Sequence, residues 1–219
     1  MSHEQAATRL NIETVKSAHS FPQSGILRLL RQHDSLYSGL DKSEKLRSDQ
    51  GGLCYTCSMD RQSVYIETSI VSYLASRPSR DVIVLAQQQL TTDWWHSRRH
   101  HYQLFVSTVV VTESLRGDVG AAKRRAVMLN GIAILEVDDS AMALATALVK
   151  QAAVPQNAVE DALHIAVACV NSIEYLLTWN YKHIANATMR THINLVCIEA
   201  GYQPPIICTP AELGDDHVG

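Results

Sequence analysis

From residue 63 onward short apolar runs alternate with stretches of helical period, and this alternation leaves the chain few architectures to choose from. Residues 64–66 read as a strand, 70–74 as a short helix ended near Pro78, 81–102 as a long helix and 104–107 as a second strand. Helices follow over 108–116 and 119–130, and a third strand over 133–135. Beyond it come helices over 140–152 and 157–171, a fourth strand over 175–178, a helix over 188–199 and a candidate edge strand over 205–208. Strands separated by helices build a parallel sheet covered on both faces. The expected fold is therefore α/β: a three-layer α/β/α sandwich with a mostly parallel central sheet of four to five strands. In such sheets, sites form beyond the carboxyl ends of the strands. Glu67 and Asn180 lie just past strand ends, on the edge where a site is expected.

At 219 residues the chain is long enough for one ordinary domain plus an appendage. Its 46% hydrophobic and 19% charged content is that expected of a soluble globular protein, and no apolar run approaches the roughly 20 residues that span a bilayer. The start has no apolar segment behind a basic one, so the cytoplasm is the default location. Five cysteines, an odd and mostly scattered set, read as reduced thiols. The net charge of -3 is uneven: residues 1–58 carry seven Lys+Arg against six Asp+Glu, and residues 59–219 carry 12 against 16. A nucleic-acid partner must therefore be met by a local basic patch or by metal, since a global basic field is absent.

Residues 1–58 are rich in Ser, Gln, Lys and Arg, with one short apolar pattern at Ile26, Leu27, Leu29 and Leu30 and a turn at Gln50-Gly51-Gly52. This segment is expected to be poorly ordered or extraneous, with 59–219 as the folded domain. Translation starting at Met59 and a docking arm are both open readings. Cys54 and Cys57 have zinc-like spacing but lack a second pair, so the signal is weak.

Three acidic residues follow buried-looking runs: Glu67 after Val64-Tyr65-Ile66, Glu113 after the second strand, and Asp161 at the start of a helix apolar nearly all round. Burying a carboxylate costs several kcal/mol unless a cation or donors meet it, so three that converge on one edge need a shared partner, most simply a divalent metal. Each has a plainer reading. Glu67 is also explicable as a polar strand end and Glu113 as an i+3 partner of Arg116. Asn157 and Glu160 form a capping-box pattern that accounts for Glu160. The dipole of the helix that carries Asp161 is worth about 0.3–1 kcal/mol, too little to offset its burial. His164, at i+3 from Asp161, is expected to hydrogen-bond it and hold its rotamer.

Val64-Tyr65-Ile66-Glu67-Thr68-Ser69, a Glu after the second strand, Glu160-Asp161-Ala162-Leu163-His164-Ile165-Ala166 and Leu177-Thr178-Trp179-Asn180 together resemble the PIN-domain nucleases, which include many VapC-type toxins of toxin-antitoxin pairs. The likeness covers about 63–213 and rests on the order and spacing of the motifs. It implies a Mg2+- or Mn2+-dependent endoribonuclease acting on single-stranded RNA, with Glu67, Glu113, Asp161 and Asn180 at the four catalytic and metal-binding positions. It also implies a cognate antitoxin and a homodimer. Two positions depart from the usual pattern, Glu67 and Asn180 standing where Asp is usual. Asn keeps a carbonyl ligand but gives up a negative charge, so a catalytically silent PIN-like module that binds RNA or protein is the alternative.

For substrate contact, Thr68 and Ser69 are phosphate-donor candidates, with capping of the following helix as the competing reading. Arg77 and Arg80 flank the Pro78 turn, and Arg98 and Arg99 follow Trp94 and Trp95, a cation-aromatic mixture suited to a single strand. A solvated helix face, with one Trp in the core, explains the same residues. Lys123, Arg124 and Arg125 form a similar run.

Overall fold

The computed structural model describes residues 61–214. The Ile26 to Leu30 pattern, the Cys54 and Cys57 pair and the Met59 start lie outside the described residues. Five strands carry the apolar runs: β1 (Ser63–Ile66), β2 (Gln103–Ser107), β3 (Ala133–Leu135), β4 (Tyr175–Leu177) and β5 (Ile206–Cys208). All pair in parallel, in the order β3-β2-β1-β4-β5. Tyr65 of β1 sits in register with Phe105 on one side and Leu176 on the other. Val64, Tyr65 and Ile66 are wholly buried, which is why this central strand is an unbroken apolar run and not an alternating one.

The helices are α1 (Thr68–Ala75), α2 (Val82–Ser97), α3 (Thr108–Ser114), α4 (Val119–Met128), α5 (Asp139–Lys150), α6 (Val159–Val170) and α7 (Ala187–Glu199). Parallel crossovers are right-handed, so the walk from β1 through β2 to β3 lays α1 to α4 on one face. The return from β3 to β4 and on to β5 lays α5 to α7 on the other. The contacts agree: α1 packs against α2, α3 and α4, while α5 packs against α6 and α7. The expected three layers are present, with every strand parallel. Because connections leave β1 and β4 in opposite directions, the switch point of the sheet lies between them, and at their carboxyl ends such sheets form a crevice.

Asp81, Ser107, Asp118, Asp138 and Asn186 cap α2, α3, α4, α5 and α7 through their side chains. For α6 the expected capping box does not form, because the cap residue is Ala158 and no side chain serves it. Glu160 reaches away instead, to a two-pronged ion pair with Arg116 at 2.9 and 2.6 Å. The expected helix over 81–102 stops at Ser97 and continues as a 3-10 turn, Arg99–His101, that feeds Tyr102 into β2. In α6, Leu163, Ile165, Ala166 and Val167 have no exposed surface. Each large apolar side chain buried this way contributes roughly 1.5–3 kcal/mol, which fixes α6 against the sheet despite its missing cap. Among the described residues no helix is long and apolar enough to cross a membrane.

Candidate functional site

Glu67 is where β1 turns into α1. Its backbone N–H donates to Leu177 O at 3.1 Å, extending the ladder onto β4, while its side chain caps α1 by accepting from Ser69 N at 3.1 Å. The same Oε2 also accepts from the Ser69 hydroxyl and from Thr178 Oγ1, the latter at 2.7 Å. Glu67 is 5% exposed, and these donors meet the desolvation cost of its charge.

Glu113 rises from the last turn of α3. Its Oε2 accepts from the Thr68 hydroxyl and lies 3.1 Å from His164 Nε2. His164, on α6, is 1% exposed, and its other ring nitrogen sits 2.8 Å from the Tyr65 hydroxyl, which is 2.6 Å from Ser107 Oγ. Burial opposes charge on the His164 ring, but Tyr65 and Glu113 outweigh it and hold its pKa well above the ordinary value. For Glu113, burial pushes the carboxyl up, while His164, Thr68 and Arg116 together bring it below its ordinary value. Donor atoms of Glu67, Glu113 and His164 all lie within 4.8 Å of one another.

Asp161 belongs to the first turn of α6 and is gripped from the loop after β4. Its Oδ1 accepts from Asn180 Nδ2 at 2.8 Å, and its Oδ2 lies 2.7 Å from His183 Nδ1. Asn180 Oδ1 in turn accepts from His183 N at 3.1 Å. Asn180 N donates to Thr178 Oγ1 at 2.9 Å, so a single hydroxyl links the Asp161 cluster to Glu67.

Of the four residues singled out for the metal, Glu67 and Glu113 come together, with His164 as the third donor, while Asp161 lies outside that group and is held with Asn180 and His183, linked to Glu67 through Thr178. Several partners differ from expectation. His164 does not hydrogen-bond Asp161 as expected; one helical turn deeper in α6, its ring nitrogens face Tyr65 and Glu113. Its place beside Asp161 is taken by His183, which the sequence reading missed although it lies three residues past Asn180. Arg116 pairs with Glu160 and not with Glu113. The Thr68 and Ser69 hydroxyls donate to Glu113 and Glu67, so they serve the carboxylates, and the capping of α1 falls to Glu67.

The basic residues are dispersed. Arg77 and Arg80 are exposed in the α1–α2 link, where Gln88 Nε2 donates to the Arg77 carbonyl at 3.1 Å. Arg98 and Arg99 precede β2 and so lie at the amino edge of the sheet, opposite Glu67. Both Trp94 and Trp95 are buried, correcting the expectation that one is available to a base. Trp94 Nε1 donates to Leu213 O at 2.8 Å, and Arg99 lies 4.7 Å from the Trp95 ring centre. Arg124 and Arg125 donate to the carbonyls of Ala75 and Ser114, acting as staples between helices.

The donor set fits a divalent cation. Two carboxylates and an imidazole converge in a mostly buried crevice, and among the described residues no Lys or Arg forms an ion pair with Glu67 or Glu113. The hydroxyl and backbone donors leave the Glu67 charge in place, and Glu113 faces the ionisable ring of His164, whose proton a cation can replace.

No protein-family profile matches the chain, and no curated protein does. Among solved structures it is similar to VapC20 of Mycobacterium tuberculosis, described as a Sarcin-Ricin loop cleaving toxin, at 15% identity and a TM-score of 0.44, over 57% of this chain and 95% of that one. It is also similar to VapBC2 from Rickettsia felis bound to a DNA fragment from their promoter, at 13% identity and a TM-score of 0.45, over 68% of this chain and 98% of that one.

Proposed function

We propose that residues 59–219 form a PIN-type endoribonuclease that hydrolyses phosphodiester bonds of single-stranded RNA with Mg2+ or Mn2+. The observation that supports this reading is the grouping of Glu67 and Glu113 with His164 within 4.8 Å, to which Asp161 and Asn180 are joined through the Thr178 hydroxyl. Glu67 and Glu113 would hold the cation, with Asp161 and Asn180 beside them. When bound, the ion supplies charge against the phosphoryl oxygens and acidifies an attacking water.

The protein's own groups prepare that site. Ser69 and Thr178 both donate to Oε2 of Glu67, Thr68 donates to Glu113, and Asn180 with His183 holds Asp161. Donors held by packed helix ends and strand ends reorganise little during a reaction, the condition under which electrostatic stabilisation is strongest. Burial excludes bulk water from Glu67 and His164 and sharpens every charge interaction there. The same reading assigns the protein to the cytoplasm, with an antitoxin partner and a second copy of the chain.

The test is metal-dependent cleavage of single-stranded RNA by the natural chain, Glu113→Gln and Asp161→Asn. A fall of about a hundredfold or more in each variant is expected, the scale of losing one preorganised charge-stabilising group. Equal rates in all three sink the mechanism. A second reading, a catalytically silent module that binds RNA or protein, is favoured by one observation: the Asn180 amide and His183 occupy both oxygens of Asp161. RNA binding without cleavage at any Mn2+ concentration would select it.

A further inference from the structure

We propose that His164 Nε2 is a direct ligand of the cation, so that the site takes a first-row transition-metal dication in preference to Mg2+. This rests on the metal-dependent reading above and adds to it the identity of one donor and the class of ion.

Three features of the ring carry the inference. First, position: Nε2 lies 3.1 Å from Glu113 Oε2 and belongs to the Glu67, Glu113, His164 group whose donor atoms all fall within 4.8 Å. Two donors held at about 2.1 Å from one ion, at right angles, stand about 3 Å apart, so the observed spacing suits a shared ion as it stands. Second, orientation: Nδ1 is 2.8 Å from the Tyr65 hydroxyl, and that hydroxyl is 2.6 Å from Ser107 Oγ. With Nδ1–H donating to Tyr65 and Tyr65 donating to Ser107, Nε2 is the nitrogen left facing the carboxylates, where a bound cation would take the place of the Nε2 proton that Glu113 otherwise meets. Ligating histidines are held in this way by a partner on the other nitrogen. Third, burial: the ring is 1% exposed and sits on a helix whose neighbouring side chains are packed against the sheet, so it cannot swing to another partner without disturbing the core.

Imidazole nitrogen changes the selectivity of an otherwise oxygen site. Mg2+ favours oxygen ligands and gives up water reluctantly, whereas transition-metal dications accept nitrogen readily. A set of two carboxylates and one imidazole therefore discriminates against Mg2+ where an all-carboxylate set would not.

Mn2+ alone is the probe, read by pulsed electron paramagnetic resonance on the full chain, with competition against Mg2+ by equilibrium dialysis. The natural chain should show nitrogen coupling to bound Mn2+ that changes when histidine is labelled with nitrogen-15 in the ring. His183→Gln, altered at the Asp161 side of the crevice, should keep that coupling. His164→Gln should lose it and see its Mn2+-over-Mg2+ preference fall by about tenfold or more. Bound Mn2+ without nitrogen coupling, or coupling that disappears in His183→Gln, overturns the inference and leaves the metal-dependent reading intact. Failure of the natural chain to bind Mn2+ overturns both. If His164→Gln does not fold, the labelled natural chain and His183→Gln decide the matter by themselves.

Discussion

The Thr178 hydroxyl donates to Glu67 Oε2 at 2.7 Å while accepting from Asn180 N at 2.9 Å, so one buried side chain at the end of β4 joins both halves of the candidate site. Thr178→Val keeps the shape and removes both roles. The Glu67 carboxylate then loses a donor while staying buried, a defect of about 1–3 kcal/mol. Urea unfolding should show that loss, and cleavage should fall further than stability does. A variant as stable and active as the natural chain would mean that the hydroxyl bridge has no function.

Tyr65→Phe deletes the partner of His164 Nδ1 and of Ser107 Oγ without changing the ring volume. Loss of such an outer hydrogen bond typically weakens metal affinity 10- to 100-fold. Mn2+ titration by calorimetry should show a drop in that range with unchanged stoichiometry, and unchanged affinity would remove Tyr65 from any positioning role.

Asn180→Asp restores the acid usual in the resembling family and abolishes the amide that donates to Asp161. Two facing carboxylates repel in the metal-free protein, so thermal stability in a chelator should fall. Added Mn2+ should then raise the melting temperature by more than it does for the natural chain, since binding to the folded state alone stabilises by RT ln(1 + [L]/Kd). A smaller rise would show that Asn180 does not border a cation.

Trp95→Ala separates the two uses considered for the tryptophans. The side chain is 6% exposed, so truncation should cost about 3–5 kcal/mol of stability. RNA affinity of the protein that remains folded should be unchanged. A selective loss of RNA binding at constant stability would return Trp95 to the substrate surface.

The architecture was legible because period and apolarity report burial directly. Residues 64–66 carry no polar alternation and prove covered on both faces, and α6 is apolar all round because it lies beneath α5 and against the sheet. The carboxyl-edge placement of Glu67 and Asn180 followed from the same pattern, since a residue past a parallel strand can only stand at that edge. Partner choice was less legible. Whether His164 faces Asp161 or Glu113 depends on one helical turn of depth relative to β1, and spacing along the helix does not encode that depth. The α6 cap failed for a similar reason: Arg116, 44 positions away, competes for Glu160, and the two-pronged pair it offers is invisible to a local motif. Trp94 and Trp95 misled because an aromatic pair beside cations has the same composition whether its rings point into the core or out of it.

Since the β1–β4 crevice arises from strand order alone, the framework needs no inserted loop to make room for chemistry. Its polar inhabitants sit at the tips of elements whose apolar stretches are satisfied elsewhere. Such a chassis tolerates rewriting: exchanging a handful of tip residues can retune which ion or reaction it hosts while the buried sheet continues to fold as before.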